Sequence, residues 1–191
     1  PSWLEEEFIR RVKEKKVHNI YVIPGQHDLP DHNLELWRKS SMGVLDAAGA
    51  VSVIGEGTGT DAGFGDCEIF GFPYGVEMIS PPPDDSYLIA IAHTLVVEKY
   101  GSKDEFLIGK SLVANDLLKM FPEFSLILVG DNHKPFVVEH EGRLLVNPGS
   151  MMRTSADQVD HKPRVYLWYA QDNHVEPVYL PIEEGVISRD H

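Results

Sequence analysis

A single cysteine, Cys67, stands among the 191 residues. One thiol can build neither a disulfide framework nor a cysteine-based zinc site within a chain, and this scarcity points to a reducing, cytosolic setting. Long apolar runs are missing as well. No stretch approaches the roughly 18 to 20 uncharged apolar residues of a membrane span, and the oiliest segments, such as Leu126 to Val129, are strand-sized. The opening residues Pro1-Ser2-Trp3-Leu4-Glu5-Glu6-Glu7 carry neither the basic flank nor the apolar centre of a secretion signal, so the expectation is a soluble protein with no membrane partner. Basic residues are few: 17 Lys and Arg against 30 Asp and Glu leave a formal charge of −13. Such a field repels polyanions and disfavours a groove that holds nucleic acid by charge alone. Bound divalent cations can reverse that sign locally, and nine histidines keep the exception open.

What is present is ordinary globular material, 42% apolar and 25% charged. At about 150 residues per domain this length predicts a single domain over 1–191, with 154–191 as its closing β-rich segment. Leu4, Phe8 and Val12, four apart, predict an amphipathic helix over Trp3 to Lys16 capped by Ser2. Asn19 to Ile23 reads as a short buried strand ended by Pro24-Gly25, and Leu34 to Ala48 as a second helix. Strands are expected over Val51 to Ile54, Cys67 to Phe72, Tyr87 to Ala92 and Phe124 to Val129. Gly55-Glu56-Gly57-Thr58-Gly59 matches no phosphate-binding fingerprint and reads as a turn. Pro81-Pro82-Pro83-Asp84-Asp85 reads as a loop and Ser111 to Met120 as a short helix. Phe136 to His140 and Arg143 to Val146 flank a Glu141-Gly142 hairpin turn. Arg164 to Tyr169 and Val175 to Leu180 form a second candidate pair. Helices alternating with buried strands, then hairpins, predict a layered α/β (α+β) domain with mixed sheets.

Three of these strands run straight into groups that ligate metals or move protons. Asn19 to Ile23 delivers Gly25-Gln26-His27-Asp28, Tyr87 to Ala92 delivers His93, and Phe124 to Val129 delivers Gly130-Asp131-Asn132-His133. Ligands of open α/β sheets bind beyond the carboxyl ends of strands, so the clusters are candidates for one metal pocket. Imidazole with carboxylate and amide oxygen, and no thiolate, suits Mn, Fe or Zn in a catalytic rather than a structural site.

This series, followed by Asn147-Pro148-Gly149-Ser150, resembles the last blocks of the calcineurin-like metallophosphoesterases over about residues 17 to 153. Flanking text such as Gly71-Phe72-Pro73-Tyr74-Gly75 and Pro148-Gly149-Ser150-Met151-Met152-Arg153-Thr154 is most similar to the SbcD-type recombination nucleases. The resemblance implies a four-layer αββα sandwich, here lacking its first βα portion. It also implies phosphodiester hydrolysis, of DNA, by a water activated between two divalent ions. Position by position, Gln26, His93 and Asp131 would ligate the second metal and His133 the first. His27 would face the scissile phosphate, with Asp28 orienting its ring. Homodimerisation and a coiled-coil, SbcC-type ATPase partner follow from the resemblance alone.

The chain departs from the family pattern in three ways. Gln26 stands where Asn is usual. Asp131 stands where His is usual, a harder and more anionic donor that favours Mn or Mg over Zn. The family's Asp-x-His and Gly-Asp blocks belong upstream of Gly25, where only 24 residues stand. Gly65-Asp66 and Asp172-Asn173-His174 lie in the wrong places to replace them. The expectation is therefore the C-terminal part of a longer protein, binding metal weakly by itself. The acidic charge keeps a phosphatase or small-molecule phosphodiesterase open, and the substitutions keep open a non-catalytic binding module. His32, four residues past Asp28, is a candidate for the substrate entrance. Asn147 to Ser150 reads as a turn supporting the site.

Overall fold

The computed structural model describes residues 2–55, 59–61, 65–82, 86–101, 112–153, 156–183 and 185. Parts of five expected features lie outside them: residues 56–58 of the glycine-rich turn, Pro83-Asp84-Asp85, Ser111, Thr154 and the end of the closing segment. The fold is mixed α/β, with parallel and antiparallel strand pairs, and the chain divides into two compact units, Pro1–His93 and Thr94–His191.

The first unit opens with α1 (Trp3–Lys15), held at its start by a capping box. The Ser2 hydroxyl accepts from the Glu5 N–H while the Glu5 carboxylate accepts from the Ser2 N–H. Its apolar stripe is covered only toward the C-terminal end. Val12 is buried, whereas Trp3 and Leu4 are 73% and 68% exposed, a departure from the core stripe that the periodicity predicts. β1 (Tyr21–Val22) pairs parallel with β2 (Ser52–Val53). Between them the helix expected over Leu34 to Ala48 is broken into a 3-10 segment, Leu34–Lys39, and α2 (Ser41–Ala47). Ser40 is the cause: its hydroxyl and its N–H both donate to the Trp37 carbonyl, and its backbone is extended. A serine side chain that captures a backbone acceptor competes with the helical ladder in this way. Gly43 then lets α2 close on the 3-10 segment, because a β-carbon there would stand 2.3 Å from the Arg38 carbonyl oxygen.

β3 (Gly59–Asp61) runs antiparallel to β4 (Cys67–Phe72), which pairs parallel with β5 (Tyr87–Ala92). Apart from the half-buried Glu68, β4 and β5 are largely apolar and buried on both faces, the pattern of strands covered on two sides. Fully burying a side chain such as Phe72 contributes about 1.5–3 kcal/mol.

The second unit begins with a pair too short to leave a periodic signal, β6 (Val96–Val97) parallel to β7 (Leu112–Val113). Because Leu112 and Val113 are taken by that pair, α3 starts late and spans Ala114–Met120. β8 (Leu126–Val129) pairs parallel with β10 (Arg143–Asn147), and β9 (Phe136–His140) lies antiparallel to β10. The connecting Glu141 and Gly142 both have positive φ, 52° and 73°, as a type I′ hairpin turn requires. β11 (Arg164–Tyr169) and β12 (His174–Tyr179) form the closing hairpin. Asn173 at its turn donates to the Ser125 and Gly142 carbonyls, tying the hairpin down. Among the described residues no helix is long and apolar enough to cross a membrane.

Candidate functional site

In the first unit, β1 leads through buried Pro24 and Gly25 into a one-turn 3-10 helix, Gln26–Asp28. The Asp28 carboxylate accepts from the Gly25 N–H at 2.9 Å and so closes the turn on itself. His93 leaves the end of β5 with its N–H bonded to the Phe72 carbonyl. Its ring rests against Gly25: a β-carbon on that glycine would lie 2.9 Å from His93 Cε1, 3.1 Å from Nδ1 and 3.2 Å from an Asp28 carboxylate oxygen. Glycine is needed here for space, since its φ of −90° suits any residue. Tyr74 meets the His93 ring edge-on, and its N–H reaches back to the Pro24 carbonyl. The structure thus brings Gly25, Asp28 and His93 together.

His93 Nε2 has no hydrogen-bond partner among the described residues, although it is buried. A buried polar atom left unpaired costs about 1–3 kcal/mol, and such orphans call for an occupant that satisfies them. A neutral imidazole nitrogen is also a common metal donor. The residue types therefore fit a divalent ion at His93.

His27 is exposed on the same turn, its Nε2 3.2 Å from the Gln26 side-chain nitrogen. His32 bonds the Gln26 carbonyl through Nδ1 at 2.9 Å, which makes Nδ1 its protonated nitrogen, and sets its ring at 69° to that of His27. Asp31 and His32 both sit at positive φ, 53° and 54°. Backbone held in that region is strained for residues other than glycine.

In the second unit, β8 runs into Gly130-Asp131-Asn132-His133. Asp131 takes a left-handed φ of 71°, and it and His133 are exposed. Between them Asn132 points inward, donating to the Val96 carbonyl and accepting from the Lys134 N–H. Asn147, 1% exposed at the end of β10, donates to the carbonyls of both Asn132 and Lys134 at 2.8 Å. Gly149 approaches so closely that a β-carbon would stand 2.7 Å from the His133 carbonyl oxygen, which also accepts from the Ser150 N–H. The 147–150 turn therefore supports the loop that presents Asp131 and His133.

Of the expected metal ligands, then, Gln26 and His93 belong to the first unit and Asp131 and His133 to the second. Among the described residues no group of three or more His, Cys, Asp or Glu side chains is arranged to hold a metal ion. The supporting role of the Asn147 to Ser150 turn was legible in the sequence, whereas the buried amide of Asn132 as a brace of this loop was not.

No family model matches the chain, and no curated protein matches it. Solved structures do: one superposes with a TM-score of 0.56 at 16% identity, over 92% of this chain and 70% of its own. At that identity the likeness concerns the fold alone, a mixed α/β arrangement.

Proposed function

We propose that the chain belongs to a metal-dependent phosphoesterase of the calcineurin-like superfamily, nearest the SbcD-type nucleases, with that superfamily's four-layer αββα sandwich. Its reaction is the hydrolysis of phosphodiester bonds, with DNA as substrate, in the cytoplasm. The observation that carries this reading is the buried Nε2 of His93, without a partner among the described residues, on a ring packed against Gly25 at the end of β5. On the resemblance alone, Gln26, His93 and Asp131 are assigned to one divalent ion and His133 to a second, Mn suiting these donor types best, with Fe, Mg or Zn as alternatives. When bound, such ions supply charge neutralisation at the phosphate and an acidified water as nucleophile.

The chain's own residues do the rest. Gln26 can ligate only through its amide oxygen, so its nitrogen donates to His27 Nε2 across the observed 3.2 Å. That bond leaves Nδ1 to carry the His27 proton, and Nδ1–H would stabilise by hydrogen bonding the charge that develops on the leaving oxygen. Asp28, expected to orient the His27 ring, instead closes the turn by accepting from the Gly25 N–H, while His27 Nε2 meets Gln26. The homodimer and the SbcC-type ATPase partner stand on the same resemblance. The charge of −13 favours a second reading, a phosphatase or small-molecule phosphodiesterase, because it repels a polyanion.

Cleavage of single-stranded DNA and of a phosphomonoester, compared in Mn²⁺ with protein expressed from the complete gene, separates the readings. Faster DNA cleavage, abolished by a chelator, is expected. Faster monoester turnover would defeat the nuclease reading, and absence of both activities together with absence of Mn²⁺ binding would favour a binding module on this scaffold.

A further inference from the structure

A cavity of about 420 Å³ opens within the first unit, and Pro24, two residues before Gln26, is part of its wall. Pro24 and Pro73 wall it on one side, and the two segments that carry them are joined by the bond from the Tyr74 N–H to the Pro24 carbonyl. Ile54, Glu35, Trp37 and Arg38 complete the part that matters for recognition. None of the proposed metal ligands lines it, yet Pro24 is separated from Gln26 by Gly25 alone.

Four features narrow the occupant. The volume lies in the range of small-molecule sites and suits a mononucleotide. The Arg38 guanidinium lies over the Trp37 ring, 4.5 Å from its centroid, forming a flat layer of the kind on which nucleobases stack. That guanidinium is exposed and has no carboxylate partner among the described residues, in a chain whose net charge is −13. It complements an anion where most of the surface repels one. Glu35 adds an acceptor suited to an exocyclic base amine.

We propose that this cavity is a nucleobase subsite: it takes the base of the nucleotide next to the scissile phosphate, flat against the Arg38–Trp37 layer, with that phosphate at the Gln26–Asp28 turn. The inference rests on the phosphodiesterase reading and deepens it, since it assigns recognition of the base beside the cleaved bond to the Arg38–Trp37 cavity.

The test is equilibrium binding of AMP and of ribose 5-phosphate to the complete protein in a chelator, so that neither metal nor turnover enters. AMP is expected to bind at least about tenfold more tightly than ribose 5-phosphate, and Arg38→Gln and Trp37→Leu each to remove about that factor. Arg38 is exposed, so its variant tests the idea even where Trp37→Leu fails to fold. Equal affinity for the two ligands, or wild-type AMP affinity in Arg38→Gln, overturns the proposal. Base discrimination without any hydrolytic activity would instead sink only the enzyme reading, and hydrolysis without base discrimination would sink only this subsite.

Discussion

Gly25 and His93 touch: the imidazole Cε1 lies 2.9 Å from the place a β-carbon on Gly25 would occupy. The end of β5 and the turn after β1 can approach this closely only because one of the two positions has no side chain.

Gly25→Ala should therefore displace the His93 ring or the Asp28 carboxylate. Overpacking of this kind costs about 1–3 kcal/mol, visible in a urea titration, and Mn²⁺ affinity should fall with it. Gly142→Ala is the control. Its φ of 73° strains the backbone by about 1–2 kcal/mol in open space, and Mn²⁺ affinity should stay at the wild-type value. Equal metal affinity in both variants would separate Gly25 from the site.

Asn147 is the brace of the second unit's loop. Asn147→Ala removes the amide that donates to the Asn132 and Lys134 carbonyls and should cost about 1–3 kcal/mol in the same titration, the range for a buried group losing a partner. A loss below about 0.5 kcal/mol, the usual level for surface changes, would show that the loop holds itself.

How much of this was legible in the sequence follows from the physics of each segment. β4, β5, β9 and β11 keep the limits predicted for them, because continuous apolar runs or strict alternation end at turn residues. The Glu141-Gly142 turn was legible for the same reason. The break at Ser40 was not, since periodicity is blind to a hydroxyl that captures the Trp37 carbonyl. Nor were β6 and β7, two residues each, whose pairing is long-range and leaves no local pattern. At the site, polar clusters following buried strands were visible from residue type alone. The packing of His93 against Gly25 and the buried amide of Asn132 behind Asp131 and His133 needed coordinates, because a glycine or asparagine before a turn ordinarily signals only the turn.

Cys67 gives a pH dependence. Burial pushes its thiol above the ordinary value, and Asp66 adds to the shift. The neutral thiol is thus favoured in the fold, while the unfolded chain ionises from about pH 8.5. Above that pH the unfolded state binds fewer protons, so stability falls as pH rises toward the folded-state value and is fully retained below pH 8.5. Wild-type protein should lose urea resistance above about pH 8.5 by more than Cys67→Ala does. Its thiol should react slowly with a disulfide reagent until urea is added. Parallel pH profiles for the two proteins would contradict this.

The most direct test of the metal site is a Mn²⁺ titration of the complete protein beside its His93→Leu variant, with thermal unfolding followed in parallel. Leucine fills much of the ring's volume and removes the unpaired Nε2. If that nitrogen is a ligand, Mn²⁺ affinity falls at least about tenfold, while the metal-free variant unfolds at or above the wild-type temperature, because a buried polar atom has been removed. Unchanged Mn²⁺ affinity in a folded variant would make His93 a core residue and contradict the site.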